Sequence, residues 1–338
     1  MHASLKRVSV LWLAVLLVEL LAACGQPMAQ PTVPTASAGK LRVALILPGA
    51  ISDQSFNAMA YAGLMAIKDE LGAEVAYSEA VPVAEFDETY RSYSEQGYNV
   101  IIGHGFEFGE PAAKIAPEFP KIYYLVTNGN VSGANLASLE PLFEEASFLA
   151  GAVAGYMTKS NKVGAVGGME FPIIVRGIEA FAAGAKYVNP QVQATTSYIG
   201  TLDDPAKGKE AALAQISTGA DVVFHIADNA GVGVIQACQE KGVYAIGFGA
   251  DQNPLAPKTV LTTFSVSYPA LMVEAVKRIQ QGKFEGSIQK YGLSVKAVDL
   301  TSFHGLVPND VAQKIEQLRQ DIIAGKVNIP RIDVPPQK

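Results

Sequence analysis

Between residues 41 and 323, short apolar runs alternate with longer stretches in which apolar positions recur every three to four residues. The runs LRVALIL at 41–47 and DVVFHIA at 221–227 are continuous rather than alternating, as expected of central strands covered on both faces. Strands are predicted at 41–47, 74–78, 100–103 and 122–126, with helices at 57–71, 85–97 and 111–116 between them. A long apolar helix follows at 143–158, whose Ala150, Gly151, Ala154 and Gly155 suit close packing. A second series then places strands at 163–166, 193–199, 222–226 and 243–248, separated by helices at 174–187, 205–218 and 232–241. A strand at 260–265 and helices at 269–281 and 309–323 complete the pattern, with Asp310 in a first turn where a carboxylate meets the helix dipole favourably. Two blocks of strand–helix alternation, each about a hundred residues long, predict an α/β protein with two parallel-sheet lobes. The late elements need a sheet to join, and the simplest economy returns some of them to the first lobe through a hinge.

The first forty residues break this pattern. Lys6-Arg7 precedes an apolar run at 8–21, and the run closes on Leu21-Ala22-Ala23-Cys24. A basic end, an apolar segment and small residues before a cut are the parts of a secretory signal. The run is shorter than the ~20 apolar residues that span a bilayer, and Glu19 within it costs insertion energy. A Cys directly after the small residues resembles a bacterial lipobox, in which the thiol is lipidated and becomes the mature N-terminus. On this expectation residues 1–23 are a signal peptide and Cys24 anchors the chain at the extracytoplasmic face of the cell membrane. Residues 25–40, GQPMAQPTVPTASAGK, hold almost nothing to bury and read as a solvated tether.

Composition narrows what the tethered body does. Roughly 300 residues remain, more than one core usually accommodates, so two lobes are the default. The formal charge of −6 becomes one unit more negative once Lys6, Arg7 and Glu19 leave with the signal, and no basic stripe follows. Nucleic-acid binding is therefore disfavoured. With Cys24 lipidated, Cys238 has no partner for a disulfide, and its place among Val234, Ile235 and Ala237 predicts a buried, inert thiol. The only Trp, Trp12, lies in the signal.

In open parallel sheets ligands bind beyond the carboxyl ends of the strands. After the first strand come Ser52, Asp53, Ser55, Phe56 and Asn57. Ser52, Asp53 and Ser55 serve equally as N-caps of the next helix, and Phe56 serves either stacking or core packing. The third strand leads into GHGFEF, with His104 and Phe106; a lone His there is more often a hydrogen-bonded structural residue than a ligand. Further strand ends carry Phe171 in GGMEFP, Asp228 and Asn229 in IADNAG, and Asp251 in GADQ. Carboxylates, amides and rings suit a neutral, flat, polar ligand. Phosphate is disfavoured, since no GxxxxGK[ST] and no basic cluster occurs, and no GxGxxG marks a dinucleotide. His104 with Glu107, and His225 with Asp228, are the constellations nearest a metal site, and both read better as structural. No cofactor, metal or catalytic residue is expected.

The lipobox, the segment Ser52-Asp53-Gln54-Ser55-Phe56-Asn57, the loop GHGFEF and the strings VGAVGGMEFPIIVRGIEAFAAGAKYVNP and GADVVFHIADNAGVGVIQACQEKGVYAIG together resemble the basic membrane protein family of solute-binding lipoproteins. The resemblance runs from about Leu41 to about Val327. It implies a type I periplasmic-binding-protein fold: two doubly wound parallel-sheet lobes, 41–135 with 255–300 and 136–254 with 301–330, closing on a ligand for an ABC importer. The characterised members mostly bind purine nucleosides, and a related group binds a purine base. Carried onto this chain, Asp53, Ser55, Phe56, Asn57, His104 and Phe106 would meet the ligand from one lobe, and Phe171, Asp228 and Asp251 from the other. Nucleoside binders commonly carry an Asp where this chain has Gly249, and a Lys near Val266; these groups are associated with the ribose, so their replacement favours a free base. The partners implied are a purine-like small molecule and permease and ATPase subunits on other chains, with the protein itself a monomer held to the membrane by its lipid alone. A sensory lipoprotein and an extracytoplasmic nucleoside-processing enzyme are the alternatives.

Overall fold

The computed structural model describes residues 40–53 and 56–336. The lipobox with Cys24, nearly all of the tether, and Ser55 therefore lie outside the described residues. Two six-stranded sheets organise the rest. The first contains β1 (Arg42–Ile46), β2 (Glu74–Ser78), β3 (Val100–His104), β4 (Tyr123–Thr127), β5 (Leu136–Pro141) and β11 (Ile288–Tyr291), in the order β11-β5-β4-β3-β1-β2. All its pairings are parallel. The second contains β6 (Lys162–Gly167), β7 (Gln193–Tyr198), β8 (Val222–Ile226), β9 (Tyr244–Gly249), β10 (Val260–Val266) and β12 (Val298–Leu300), in the order β12-β10-β9-β8-β6-β7. Only β12, at its edge, runs antiparallel. Apolar β1, β3, β4 and β8 are buried along nearly their whole length, whereas the polar EVAYS of β2 and QATTSY of β7 occupy edges.

Helices cover both faces of these sheets, as parallel crossovers require. In the first lobe α1 (Phe56–Leu71), α2 (Phe86–Glu95) and α3 (Gly109–Ile115) link successive strands. In the second, α5 (Pro172–Val188), α6 (Pro205–Ser217) and α7 (Ala230–Lys241) do so. Pro172 and Pro205 stand in first turns, where a missing N–H costs nothing, and Asp204 caps α6 by accepting from Ala206 N at 2.9 Å. The apolar helix expected at 143–158 is α4 (Phe143–Met157), which lies against α5. Its glycines explain the contact: a Cβ on Gly151 would stand 2.0 Å from the carbonyl oxygen of Phe181, and one on Gly184 would stand 2.0 Å from that of Phe148.

The chain crosses between the lobes three times, and here the lobe boundaries expected from the sequence move. Leu136–Pro141, assigned above to the second lobe, pairs with β4 in the first sheet, and the chain then leaves through Leu142 into α4. Val260–Val266 and Val298–Leu300, assigned to the first lobe, lie in the second sheet. From β10 the chain passes through Ser267 into α8 (Tyr268–Gln280), which packs on α1, and then into β11 of the first sheet. It returns through Gly292 and Ala297 to β12 and then to α9 (Asn309–Ile323), which rests against α4. Apolar periodicity tells strand from helix; it does not say which sheet receives a strand. The last described stretch closes over the first crossing, where Arg331 pairs with both Glu140 and Glu144, and Arg176 with Glu140 and Asp333.

Candidate functional site

The strands of both sheets deliver their carboxyl ends to the region where the lobes meet. After β1, Asp53 caps α1: its carboxylate accepts from Asn57 N at 2.8 Å, Asn57 Nδ2 at 2.8 Å and Ala58 N at 2.9 Å. Asn57 is buried, and its Oδ1 accepts from Gly49 N at 3.2 Å, so its amide ties the loop to the helix rather than lining an opening. Phe56, the first residue of α1, is partly buried. Its ring lies 3.8 Å from that of His104, centroid to centroid and 29° from parallel, and the ring of Tyr268 meets it edge-on at 5.9 Å.

His104, expected among the ligand-facing residues, is wholly buried and has both ring nitrogens engaged. Nε2 stands 3.0 Å from the Phe56 carbonyl oxygen, which only accepts, so this nitrogen carries the proton. Nδ1 then accepts from Thr127 Oγ1 at 2.7 Å, and Thr127 in turn accepts from Gly105 N at 3.2 Å. Burial pushes the His104 pKa down to about 3, consistent with this neutral tautomer. The residue therefore holds Phe56 in place. Phe106 and Phe171 sit at the ends of β3 and β6 with 59% and 51% of their surfaces exposed, unusual for rings of this size.

From the second lobe, Asp228 follows β8 in a left-handed conformation at φ 42°. Burial raises its pKa to about 6, and the nearby charges of Asp203 and then Asp53 push the same way. Asp53 belongs to the other lobe, so charge from one lobe is felt by a carboxylate of the other. Asp251, after β9, is already paired: His304 Nε2 lies 3.1 Å from Oδ2, and Asn253 N donates to Oδ1 at 3.1 Å. Burial pushes the His225 pKa down to about 4, and its Nε2 donates to Gln252 Oε1 at 2.9 Å. That oxygen also accepts from Phe248 N at 3.0 Å, which fixes the loop after β9.

Several contributors escaped the sequence reading. Tyr268 is buried, touches both Phe56 and His104, and exchanges hydrogen bonds with Asn128, whose Nδ2 donates to the hydroxyl at 2.9 Å. Asn128 follows β4, so the strand-end rule applied to that strand would have found it. Tyr268 follows the end of β10 in the same way. His304 sits in a left-handed turn at φ 49° beyond β12, a strand too short for its pattern to register. Cys238 is buried as expected, and burial pushes its thiol up to about 12. Among the described residues no group of three His, Cys, Asp or Glu side chains is placed to hold a metal, and no helix is long and apolar enough to cross a membrane.

The chain as a whole is similar to known proteins. Residues 40–333 match the Bmp family, described as ABC transporter substrate-binding protein PnrA-like. The transcriptional activator protein med of Bacillus subtilis is 30% identical over 301 residues, covering 88% of this chain and 92% of that protein. The ABC transporter nucleoside-binding protein BmpA of Lactococcus lactis is 28% identical over 305 residues, covering 83% of this chain and 86% of its own. Among solved structures, a transcriptional activator of the comK gene from Bacillus halodurans superposes with a TM-score of 0.77 at 28% identity, covering 86% of this chain and all of that one.

Proposed function

The chain belongs to the family of PnrA-like ABC transporter substrate-binding proteins, and from that premise we propose that it is an extracytoplasmic lipoprotein that closes its two lobes on a purine-like ligand, a nucleobase or a nucleoside. The captured ligand passes to the permease and ATPase subunits of an importer, which are separate chains. The observation that carries this reading is the arrangement around Phe56. A ring held by His104 and Tyr268 opens the helix that follows the first strand, with Asp228 of the second lobe within electrostatic reach of both Tyr268 and Asp53. A planar ligand stacked there gains contacts from both lobes only when they meet, which couples binding to closure. The nucleoside-binding relative supports the ligand class, and Gly249 and Val266 tilt the reading toward a free base. Cys24 and the tether supply the membrane anchor.

Calorimetry of the full-length chain against adenine, guanine, hypoxanthine, adenosine, guanosine and ribose tests the ligand. Micromolar or tighter binding of at least one purine is expected; millimolar binding of every purine alongside tighter binding of ribose would remove the reading. Mass spectrometry of the membrane fraction tests the anchor, with an acylated Cys24 as the expected N-terminus.

A second reading rests on the transcriptional activators among the relatives. On it, the same ligand-bound form signals to a regulatory partner rather than feeding a permease. Deleting the gene would then alter transcription while leaving uptake of labelled ligand intact; the importer reading expects uptake to fall.

A further inference from the structure

Three acids stand at strand ends where the lobes meet, and they differ in what they have left to offer. The Asp53 carboxylate takes three hydrogen bonds from the start of α1. Asp251 takes His304 and Asn253 N. No hydrogen bond reaches the Asp228 carboxylate from the described residues, although it is partly buried and stands close to two other negative charges. An ionised carboxylate only accepts, through two oxygens in one plane. Leaving such a group half out of water, without donors and beside like charges, is unfavourable in the unliganded protein. A ligand that brings donors removes the penalty.

Resting on the purine-like ligand of the preceding section, we propose that Asp228 reads the ligand's hydrogen-bonding edge and selects a flat heterocycle with two adjacent N–H donors, as guanine has. Charge-assisted pairs are the strong hydrogen bonds, and two parallel ones add geometric selectivity. Guanine presents a ring N–H beside an exocyclic amino group and so matches both carboxylate oxygens. Hypoxanthine keeps the ring N–H alone. Adenine presents an amino group beside a bare ring nitrogen, whose lone pair opposes the second oxygen. Phe56 is indifferent to this choice, because every purine has a face to stack. Discrimination therefore falls to Asp228. A donor-bearing edge on Asp228 also offsets the repulsion it feels from the Asp53 charge.

Calorimetry with guanine, hypoxanthine and adenine at pH 8 tests this on the full-length wild type and on Asp228→Asn and Asp228→Gly. Asparagine keeps the shape and, like aspartate, accepts positive φ, and glycine adopts it freely, so both variants retain the fold. In the wild type, guanine is expected to bind at least about tenfold more tightly than adenine, with hypoxanthine between them. Asp228→Asn should weaken guanine by about tenfold or more and narrow the gap to adenine. Wild-type affinities that are equal for guanine and adenine, or a ratio unchanged in both variants, would overturn the role of Asp228 while leaving purine capture in place. Absence of binding by any heterocycle in the wild type would overturn both.

Discussion

The imidazole of His104 stacks on the ring of Phe56 at 3.8 Å and at the same time donates from Nε2 to the Phe56 carbonyl oxygen at 3.0 Å. Side chain and backbone of one residue are thus gripped by a single partner from a neighbouring strand. A ring at a loop–helix junction would otherwise sample several rotamers, and ordering it on binding would cost free energy. His104, oriented by Thr127, bears that cost during folding instead. It is a positioning residue for the ring.

Phe56→Ala should weaken binding of the preferred purine by about 1–3 kcal/mol, the value of one base stacked on an aromatic side chain. Calorimetry measures the change, and circular dichroism confirms that α1 persists. An affinity equal to that of the wild type would make Phe56 a packing residue only.

Two buried neutral histidines make the fold sensitive to acid. Folded-state values near 3 for His104 and 4 for His225 lie below the ordinary 6.5, so under mildly acidic conditions the unfolded chain takes up protons that the folded chain refuses. Their contribution is fully present above about 6.5 and lost as pH falls toward 4, at about 1.4 kcal/mol per pH unit for each group. Denaturant midpoints should fall steeply across this window. His225→Gln should flatten the slope; an unchanged slope would show that His225 titrates normally in the folded protein.

Gly151→Ala should destabilise the protein by about 1–3 kcal/mol, the usual cost of overpacking, because the new methyl group would meet the Phe181 carbonyl. Gly242→Ala offers a contrast: nothing lies within 4 Å of its Cβ position, and its cost arises from φ 67° alone. Chemical denaturation distinguishes the two, with the larger loss expected at Gly151.

Asp228→Asn should stabilise the unliganded protein above pH 6 by on the order of 1 kcal/mol, since it removes a charge that burial, Asp203 and Asp53 all penalise. The gain should fade as pH falls through about 6, where the wild-type carboxyl takes up a proton. Over the same range the acid form offers a proton to a bare ring nitrogen, so the preference for guanine over adenine should shrink. The groups facing Asp228 are Asp203 from its own lobe, and Asp53 and Tyr268 from elements of the other; of these, Tyr268 is held neutral, with burial raising its pKa. Thermal scans and calorimetry at pH 5 and pH 8 read both effects. A stability difference that ignores pH would place the ionisation of Asp228 elsewhere.

Local pattern carried the element list far. The strands at 74–78 and 222–226 and the helix at 309–323 stand where periodicity puts them, because a period of two or 3.6 is a property of the segment itself. The rule that ligands gather at strand ends then led to Asp53, Phe56, Phe106, Phe171, Asp228 and Asp251. Strands β5, β11 and β12 were not legible: LASLEP mixes a Glu and a Pro into a buried strand, and IQKY and VDL are too short to show a period.

What each strand-end residue has left to offer was decided only in three dimensions. The sequence determined that His104 follows a buried strand; folding placed the Phe56 carbonyl on one nitrogen and the Thr127 hydroxyl near the other, making it a support. It determined that Asp228 and Asp251 are acids at strand ends; folding brought His304, 53 positions from Asp251, to one of them, while no described residue donates to the other. Tyr268 and Asn128 meet across 140 positions because a crossing from the second sheet returns a helix to the first. Chemical character is local to a residue, but the pairing that uses it up belongs to the packing of the whole chain.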